Sequence, residues 1–346
     1  MQGAGLPSVV LTHRDISSPA TNMLSSPPND NTLISKEMLE EARQRVKDSP
    51  LKIVRTPLIN VKETTLTLES KCNLLLKLEN MQNTGSFKIR GVANQFARAQ
   101  QGPFITMSAG NYGRAFAYAL KWFGHEGRVL MPNTAPPSRA SVISSYGVDV
   151  EMLAPECLKT AVDRYVRDHN MTFLHPFDDL DLISGYGSLA FEILQEVPEP
   201  DVILVCCGGG GLLAGIASAV KHSSSSTKIY GVEPEGACTM FRSLLDGKPV
   251  TMDAKSIAAG LAPPFAGTNT LNICMEHVED VVLVSEKDIV EATSLLYRAG
   301  LVVEPSGAAA FAAVLKNKIP DLDNKTVIVV LTGGNVSPEE LSCIFV

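Results

Sequence analysis

Residues 85–91 read Gly-Ser-Phe-Lys-Ile-Arg-Gly and contain one lysine, Lys88, behind a small, flexible glycine–serine pair. The apolar run Leu74–Leu78 precedes this stretch and a helical pattern follows it, so Lys88 is predicted at a strand-to-helix turn. A cation is unfavourable at the positive end of a helix. The position therefore indicates either an ordinary solvated lysine or an amine that is kept neutral or bonded covalently to a ligand.

Apolar runs alternate with helical patterns along most of the 346 residues, and segments such as Ala115–Phe123 and Leu158–His169 have helical spacing. This alternation predicts an α/β protein with open, mostly parallel sheets covered by helices. The runs are too many for one small sheet and predict two α/β domains. The runs interpreted as strands are Leu74–Leu78, Phe104–Met107, Val129–Met131, Val148–Leu153, Thr172–Leu174, Val202–Cys206, Ile229–Val232, Val281–Val284 and Val327–Leu331.

The composition argues against several classes of protein. The formal charge of −7 gives no basic excess for nucleic-acid binding, and no apolar run reaches the roughly 18 residues of a membrane helix. Seven cysteines without a C-x-x-C pair do not support zinc sites or a disulfide framework, and they favour a reducing compartment, the cytoplasm. Residues 1–33 are predicted to be a disordered tail, and Ser35 is predicted to open a helix that ends before Ser49.

Three further turns have unusual sequences where predicted strands end, which is where open α/β sheets bind ligands. Residues 108–113, Ser-Ala-Gly-Asn-Tyr-Gly, suit a carboxylate at a helix N-terminus, although an ordinary turn fits them too. Residues 208–212, Gly-Gly-Gly-Gly-Leu, predict a phosphate site, because glycines let backbone N–H groups approach an anion. Residues 332–335, Thr-Gly-Gly-Asn, place a hydroxyl beside two glycines.

The glycine run also fits a dinucleotide-binding fingerprint. Gly209, Gly211 and Ala214 have its spacing, and Glu233 follows about 20 residues on, where a ribose ligand would lie. That alternative predicts a nicotinamide oxidoreductase, but it leaves Lys88 without a role. A non-catalytic protein that kept the same fold and only binds a ligand is a further alternative.

Together the four motifs, in this order and spacing, resemble the fold-type II pyridoxal phosphate (PLP) enzymes, most closely the serine/threonine dehydratases and serine racemase. The resemblance covers roughly residues 35–340. It implies a fold like that of the tryptophan synthase β-subunit, with a large cofactor-binding domain of residues 34–102 and 179–346. It also implies a small mobile domain of residues 103–178, an amino-acid substrate and a homodimer.

The same resemblance implies roles for individual residues. Lys88 would hold the cofactor covalently and then move the substrate α-proton, with Phe87 beside the ring, Asn111 on its 3-oxygen and Thr332 facing its pyridine nitrogen. Gly208, Gly209, Gly210, Gly211 and Leu212 would hold the phosphate. Ser86, Ser108, Ala109, Gly110, Asn111 and Tyr112 would bind the substrate. Glu304 would start a helix near the rim of the cofactor site.

Two departures from the racemase pattern bear on the reaction. Racemases of the family that this chain resembles carry Ser-Ser-Gly-Asn-His where residues 108–112 stand, at the start of the substrate loop (residues 108–113). The second serine of that motif is their acid/base on the far face of the substrate. Here Ala109 takes that position and cannot move a proton, as in the mammalian-type serine dehydratases, and Tyr112 replaces the histidine. The resemblance therefore implies a lyase that converts L-serine, L-threonine or a related β-hydroxy amino acid to a 2-oxo acid and ammonia. Racemisation is the alternative on the same scaffold.

A cation site is also implied by the resemblance. Glu233, the carbonyl of Ala237 and the Thr239 hydroxyl match it, and a hydroxyl with carbonyls suits K⁺ better than Mg²⁺, although oxygen ligands serve both. The alternative is that Glu233 caps the helix that follows it.

Overall fold

The structure is a computed structural model that describes residues 33–68, 71–100, 102–223 and 226–344. The predicted disordered tail therefore lies outside the described residues, except for Leu33. The first helix begins as predicted: Ser35 is its N-cap, and the Ser35 hydroxyl accepts a hydrogen bond from the Met38 N–H at 3.2 Å. Among the described residues, every helix is too short or too polar to span a lipid bilayer.

Strands and helices alternate through the described residues. The strands are β1 (Leu58–Asn60), β2 (Asn73–Leu78), β3 (Phe104–Met107), β4 (Gly127–Pro132), β5 (Asp149–Leu153), β6 (Thr172–Phe173), β7 (Val202–Cys206), β8 (Lys228–Pro234), β9 (Asp280–Val284) and β10 (Thr326–Leu331). The helices are α1 (Lys36–Lys47), α2 (Lys88–Arg98), α3 (Asn111–Phe123), α4 (Pro137–Ser144), α5 (Leu158–His169), α6 (Leu180–Glu196), α7 (Gly211–His222), α8 (Thr239–Asp246), α9 (Thr268–His277), α10 (Glu286–Arg298), α11 (Pro305–Leu315) and α12 (Pro338–Ile344).

The strands form two sheets, which confirms the predicted fold class. The larger sheet has the order β1-β2-β10-β7-β8-β9, and only β1 runs antiparallel to its neighbour. The smaller sheet has the order β5-β4-β3-β6 and is entirely parallel. Each predicted strand is present; Phe104–Met107 and Val202–Cys206 match at both ends, and the ends of the others shift by at most two residues. Strand β1 was missed, because three half-buried residues are too few to show a period.

Helices cover both faces of the larger sheet. Alternate residues of β7 point to opposite faces, so Ile203 and Val205 pack with α2, α6 and α7, while Val202 and Leu204 pack with α10 and α11. Helix α11 is buried along most of its length, which explains why its sequence is apolar on all sides. Burial on both faces is what makes the parallel strands read as continuous apolar runs.

The smaller sheet is built in the same way. Phe104 packs on the side of α3 and Ile105 packs against α5, so this sheet too is covered on both faces. The Phe104 ring also lies 5.3 Å from the Phe96 ring of α2, centroid to centroid, which joins this sheet to the helix that begins at Lys88. The division into a large domain and a mobile small domain stays a prediction.

A buried ion network holds the start of α2. The Arg90 guanidinium donates to Glu79 at 2.8 and 2.9 Å and to Glu192 of α6 at 2.7 and 2.9 Å. Lys77 of β2 donates to Glu192 at 2.8 Å and to the Thr56 carbonyl at 2.7 Å. Arg90, Lys77 and Glu79 are fully buried. Two cations thus balance two carboxylates. The network connects β2, α2 and α6, and its arginine lies two residues after Lys88.

We expect Arg90→Met to lower the free energy of unfolding by about 3–5 kcal/mol, because the change leaves the fully buried Glu79 carboxylate without its cation and removes one of the two cations that pair with the part-buried Glu192. Arg55→Met is the matched control: it removes an arginine that is half exposed and pairs with Glu196 near the end of the same helix, α6. Its cost should stay below about 1 kcal/mol. Urea unfolding of both variants at pH 7 measures the difference, and equal losses would contradict a structural role for the network.

Candidate active site

The four motifs singled out in the sequence line one cavity of about 1350 Å³. Three of them lie beyond β2, β10 and β7, which are neighbours in the larger sheet, and the fourth follows β3 of the smaller sheet. Ser86, Glu233, Ala237 and Thr239 are not among the lining residues. The predicted site residues that do line the cavity are Phe87, Lys88, Ser108, Ala109, Gly110, Asn111, Tyr112, Gly208, Gly209, Gly210, Gly211, Leu212 and Thr332.

The lysine motif and the carboxyl-terminal motif are paired by backbone hydrogen bonds. The Phe87 N–H donates to the Thr332 carbonyl at 3.1 Å, and the Gly334 N–H donates to the Gly85 carbonyl at 2.9 Å. Between these bonds lies an antiparallel bridge of Ser86 with Gly333. This pairing sets the Lys88 turn beside Thr332, although the two segments are far apart in the sequence.

Lys88 is the first residue of α2, and its side chain is enclosed by rings. Its Nζ lies 4.9 Å from the centroid of Phe87 and 5.8 Å from that of Tyr186, and it donates a long hydrogen bond of 3.4 Å to the Pro176 carbonyl. The Phe87 and Tyr186 rings pack together at 4.9 Å between centroids. The amine therefore lies in an apolar niche with one weak acceptor.

Burial shifts the proton equilibria of Lys88 and of its nearest acid. Desolvation lowers the pKa of Lys88 to about 8, against a smaller opposing effect of Glu304. Desolvation also raises the pKa of Glu304 to about 7, although a hydrogen bond from Asn111 lowers it. The lowered pKa makes the neutral form of Lys88 easier to reach, and that form lacks the charge that is unfavourable at a helix N-terminus.

The glycine loop has the shape required of an anion cradle. Gly210 adopts φ +92°, a conformation that L-residues rarely take, and a Cβ at Gly209 would lie 2.3 Å from the Phe177 ring. Helix α7 begins at Gly211, so the N–H groups of its first turn have no carbonyl of a preceding turn to bond. These donors with the helix dipole fit a phosphate group.

The substrate loop is held by its own first residue. The Ser108 hydroxyl accepts hydrogen bonds from the Gly113 N–H at 3.1 Å and the Gly110 N–H at 3.4 Å, so it stabilises the start of α3. The Tyr112 hydroxyl is buried and donates to Gln95 of α2 at 2.6 Å. Asn111 donates to the Glu304 carboxyl group. The loop is thus bonded both to the lysine helix and to the start of α11.

Both oxygens of Glu233 accept hydrogen bonds from α8, from the Met240 N–H at 2.9 Å and the Phe241 N–H at 2.8 Å. This is the capping role that the sequence left as the alternative to a cation ligand. Glu233 does not line the cavity, so it is not placed to bind the ribose of a dinucleotide there. The Thr239 hydroxyl is buried and has no hydrogen-bond partner among the described residues.

Four site residues were missed or only outlined from the sequence: Tyr186, Arg114, Asn335 and Glu304. Tyr186 stands between two glycines of α6, and Gly91 of α2 leaves room for its ring, because a Cβ there would lie 2.5 Å from that ring. The two glycines that flank Tyr186 could have indicated, in the sequence alone, that another helix packs closely there. Arg114, which is three residues beyond Asn111, carried no such signal. Asn335 was quoted within its motif without a role of its own.

The chain matches the family model described as "Pyridoxal-phosphate dependent enzyme" over residues 50–333. It is 38% identical over 283 residues to an L-threonine ammonia-lyase of Geobacter sulfurreducens, covering 78% of this chain and 69% of that protein. It is 33% identical over 321 residues to a catabolic L-threonine dehydratase of Staphylococcus aureus, covering 90% and 91%. The solved serine racemase of Dictyostelium discoideum superposes with a TM-score of 0.80 at 32% identity, covering 88% of this chain and 99% of that one.

We expect Lys88 of cofactor-free protein to react with an aldehyde at a lower pH than other lysines, because its pKa is about 8 while an exposed lysine titrates near 10.4. Only the neutral amine attacks, so labelling should rise as the pH increases through about 8. Brief exposure to pyridoxal phosphate and borohydride at several pH values, followed by peptide mass spectrometry, measures the midpoint. Exposed lysines in the same digest are the control, and a shared midpoint would contradict the prediction.

Proposed function

The chain belongs to the family of pyridoxal-phosphate dependent enzymes, and from that premise we propose that it is an L-serine/L-threonine ammonia-lyase. It would convert a β-hydroxy amino acid to a 2-oxo acid and ammonia. Two observations support this activity together: a half-buried lysine with a lowered pKa that lines the same cavity as the glycine loop, and the likeness to proteins named threonine ammonia-lyase and threonine dehydratase. Ala109 favours elimination over racemisation, because its side chain has no exchangeable proton.

We propose that the residues around the cavity hold the cofactor as follows. The N–H groups of Gly208–Gly211 and Leu212 bind the phosphate, Lys88 bonds the aldehyde carbon, and Asn111 donates to the ring oxygen. Thr332 offers a neutral hydroxyl, not a carboxylate, to the ring nitrogen, so this nitrogen stays unprotonated. The glycine loop, the neutral amine and the buried hydroxyl fit the anionic, aldehyde and ring-nitrogen parts of the cofactor.

In the proposed reaction the bound cofactor supplies electron withdrawal from the α-carbon of the amino acid. Ser108 and the backbone N–H groups of residues 109–112 hold the substrate carboxylate at the start of α3. The Lys88 amine takes the α-proton, and its apolar niche favours the neutral form that can accept it. Departure of the β-hydroxyl as water, and then hydrolysis, leave the 2-oxo acid and ammonia.

The second candidate is an amino-acid racemase, supported by the likeness to a solved serine racemase. Racemisation needs one group that removes the α-proton and another that returns it from the opposite face. Lys88 serves one face, and the Ala109 side chain has no exchangeable proton. The lyase is therefore the better-supported activity.

The proposal includes a cation, a dimer, a mobile domain and a cellular location. We propose a cation, K⁺ or Mg²⁺, near the unpartnered Thr239 hydroxyl, with Glu233 and the Ala237 carbonyl as its other ligands. We also propose a homodimer, a mobile small domain of residues 103–178, and a cytoplasmic location that fits the thiols of Cys206, Cys207 and Cys274.

We expect the purified protein to release a 2-oxo acid from L-serine, L-threonine or a related β-hydroxy amino acid, and Lys88→Ala to abolish this turnover. A screen of β-hydroxy amino acids, with the 2-oxo acid and the D-enantiomer both measured, tests the assignment. Retained turnover in purified Lys88→Ala protein would reject the role of this lysine. Tight NAD binding without a visible cofactor band would favour an oxidoreductase.

We expect Ala109→Ser to raise the ratio of D-serine to pyruvate, because it restores a hydroxyl on the face opposite Lys88. General acid–base help is typically worth about 10²–10⁴ in rate, so D-product in the parent should be slower than the 2-oxo acid by that order. Chiral chromatography of D-serine beside a pyruvate assay gives the ratio. A parent enzyme that forms D-serine as fast as pyruvate would contradict the lyase proposal.

A further inference from the structure

A chain of side-chain hydrogen bonds runs along one wall of the cavity. Arg114 donates to Asn335 Oδ1 at 2.6 Å, and Asn335 Nδ2 donates to Asn111 Oδ1 at 2.8 Å. Asn111 Nδ2 then donates to the Glu304 carboxyl group. The chain links α3, the carboxyl-terminal motif and the start of α11, and each of its four members lines the cavity.

The direction of this chain is set by groups that cannot reverse their role. An arginine side chain only donates hydrogen bonds and a backbone carbonyl only accepts them. Arg114 requires the oxygen of the Asn335 amide to face it, and the Thr84 carbonyl, 2.8 Å from Asn335 Nδ2, requires the nitrogen on the other side. The same nitrogen donates to Asn111, so the oxygen of the Asn111 amide must face Asn335 and its NH₂ group must face Glu304 and the cavity.

The fold makes room for this arrangement. Gly85, at φ +77°, lies so close to Asn335 that a Cβ on it would fall 2.1 Å from Asn335 Oδ1. Gly333 likewise leaves space where a Cβ would lie 3.1 Å from Asn111 Nδ2. The glycines of two motifs therefore allow the amides to come together. This requirement is separate from the approach of a phosphate.

We infer that Asn335 and Arg114 are positioning residues that keep the NH₂ group of Asn111 directed into the cavity. The inference rests on the proposed function, in which Asn111 donates to the ring oxygen of the cofactor. With the Asn111 amide reversed, its oxygen would face that ring oxygen and Glu304, and acceptor would oppose acceptor. Asn335 and Arg114 would thereby stabilise the ionised form of the ring oxygen through Asn111.

Asn335→Asp is the sharpest test, because the carboxylate still accepts from Arg114 but cannot donate to Asn111 or to Thr84. It should attract the Asn111 NH₂ group and reverse this amide. We expect about tenfold weaker binding of pyridoxal phosphate, as for loss of a hydrogen bond to a charged group. We also expect the pH midpoint of the visible absorption change of the bound cofactor to rise by about one unit, which is that tenfold change in the ring-oxygen equilibrium.

If Asn335→Asp fails to fold, two variants of Arg114 provide the test instead. Arg114→Met removes the donor and should shift the midpoint and the affinity in the same direction by a smaller amount, since Thr84 still orients Asn335. Arg114→Lys keeps a donor and should restore values near those of the parent. Asn80→Asp is the matched control: Asn80 also donates to a carbonyl, that of Val302 at 3.0 Å, but does not line the cavity.

The inference is overturned if Asn335→Asp, or Arg114→Met in its place, binds the cofactor with the affinity and midpoint of the parent. It is also overturned if Asn80→Asp shifts the midpoint equally, since the effect would then be general. The proposed function can fail separately: a parent protein with a normal cofactor band and no lyase activity rejects it and leaves both readouts of the inference intact.

Discussion

The buried ion network around Arg90 is the constraint on which the placement of the lysine depends. Arg90 bonds Glu79 beyond β2 and Glu192 of α6 at the same time, so the first turn of α2 cannot slide along either element without leaving buried charges unpaired. Lys88 lies two residues earlier. The position of Lys88 in the cavity therefore depends on Arg90, which does not line the cavity.

Lys77 is fully buried and Lys88 is half-buried, and the two amines have opposite surroundings. Lys77 donates to the Glu192 carboxylate and the Thr56 carbonyl, so its charge is balanced. Lys88 has two aromatic rings and one carbonyl at 3.4 Å, and no carboxylate within salt-bridge distance among the described residues. Desolvation without a paired charge lowers the pKa of Lys88 to about 8, which is what a nucleophilic amine needs near neutral pH.

Lys88 and Ala109 differ in whether their side chains can transfer a proton, and this difference bears on the reaction. The Lys88 amine can take or return a proton, whereas Ala109 in the substrate loop supplies none. The Tyr112 hydroxyl of this loop donates to Gln95, and the Ser108 hydroxyl, which accepts from two backbone N–H groups, keeps its own proton for the substrate carboxylate of the proposed reaction. The lack of a proton-transfer group at position 109 favours elimination, because that reaction takes the α-proton from one face only.

The sequence by itself determined every strand of the described residues except β1, the four turns that line the cavity, and the central lysine. Buried parallel strands read as apolar runs, and glycines mark places where a backbone must come close to another group. It did not determine which turns meet, because that depends on the order of strands: β10, near the end of the chain, lies between β2 and β7. Only this order brings Thr332 and Asn335 beside the Lys88 turn.

The residues that escaped prediction share a physical reason. Glu192 is separated by 102 positions from Arg90, and Asn335 by 224 from Asn111, so no local pattern records either pair. The sequence left open whether Glu233 caps a helix, and the cap is visible only in the structure, where two N–H groups of α8 donate to its oxygens. Local sequence determines where a polar group can lie, whereas its partner, its protonation and the direction of its hydrogen bonds are set by tertiary contacts in a low-dielectric interior.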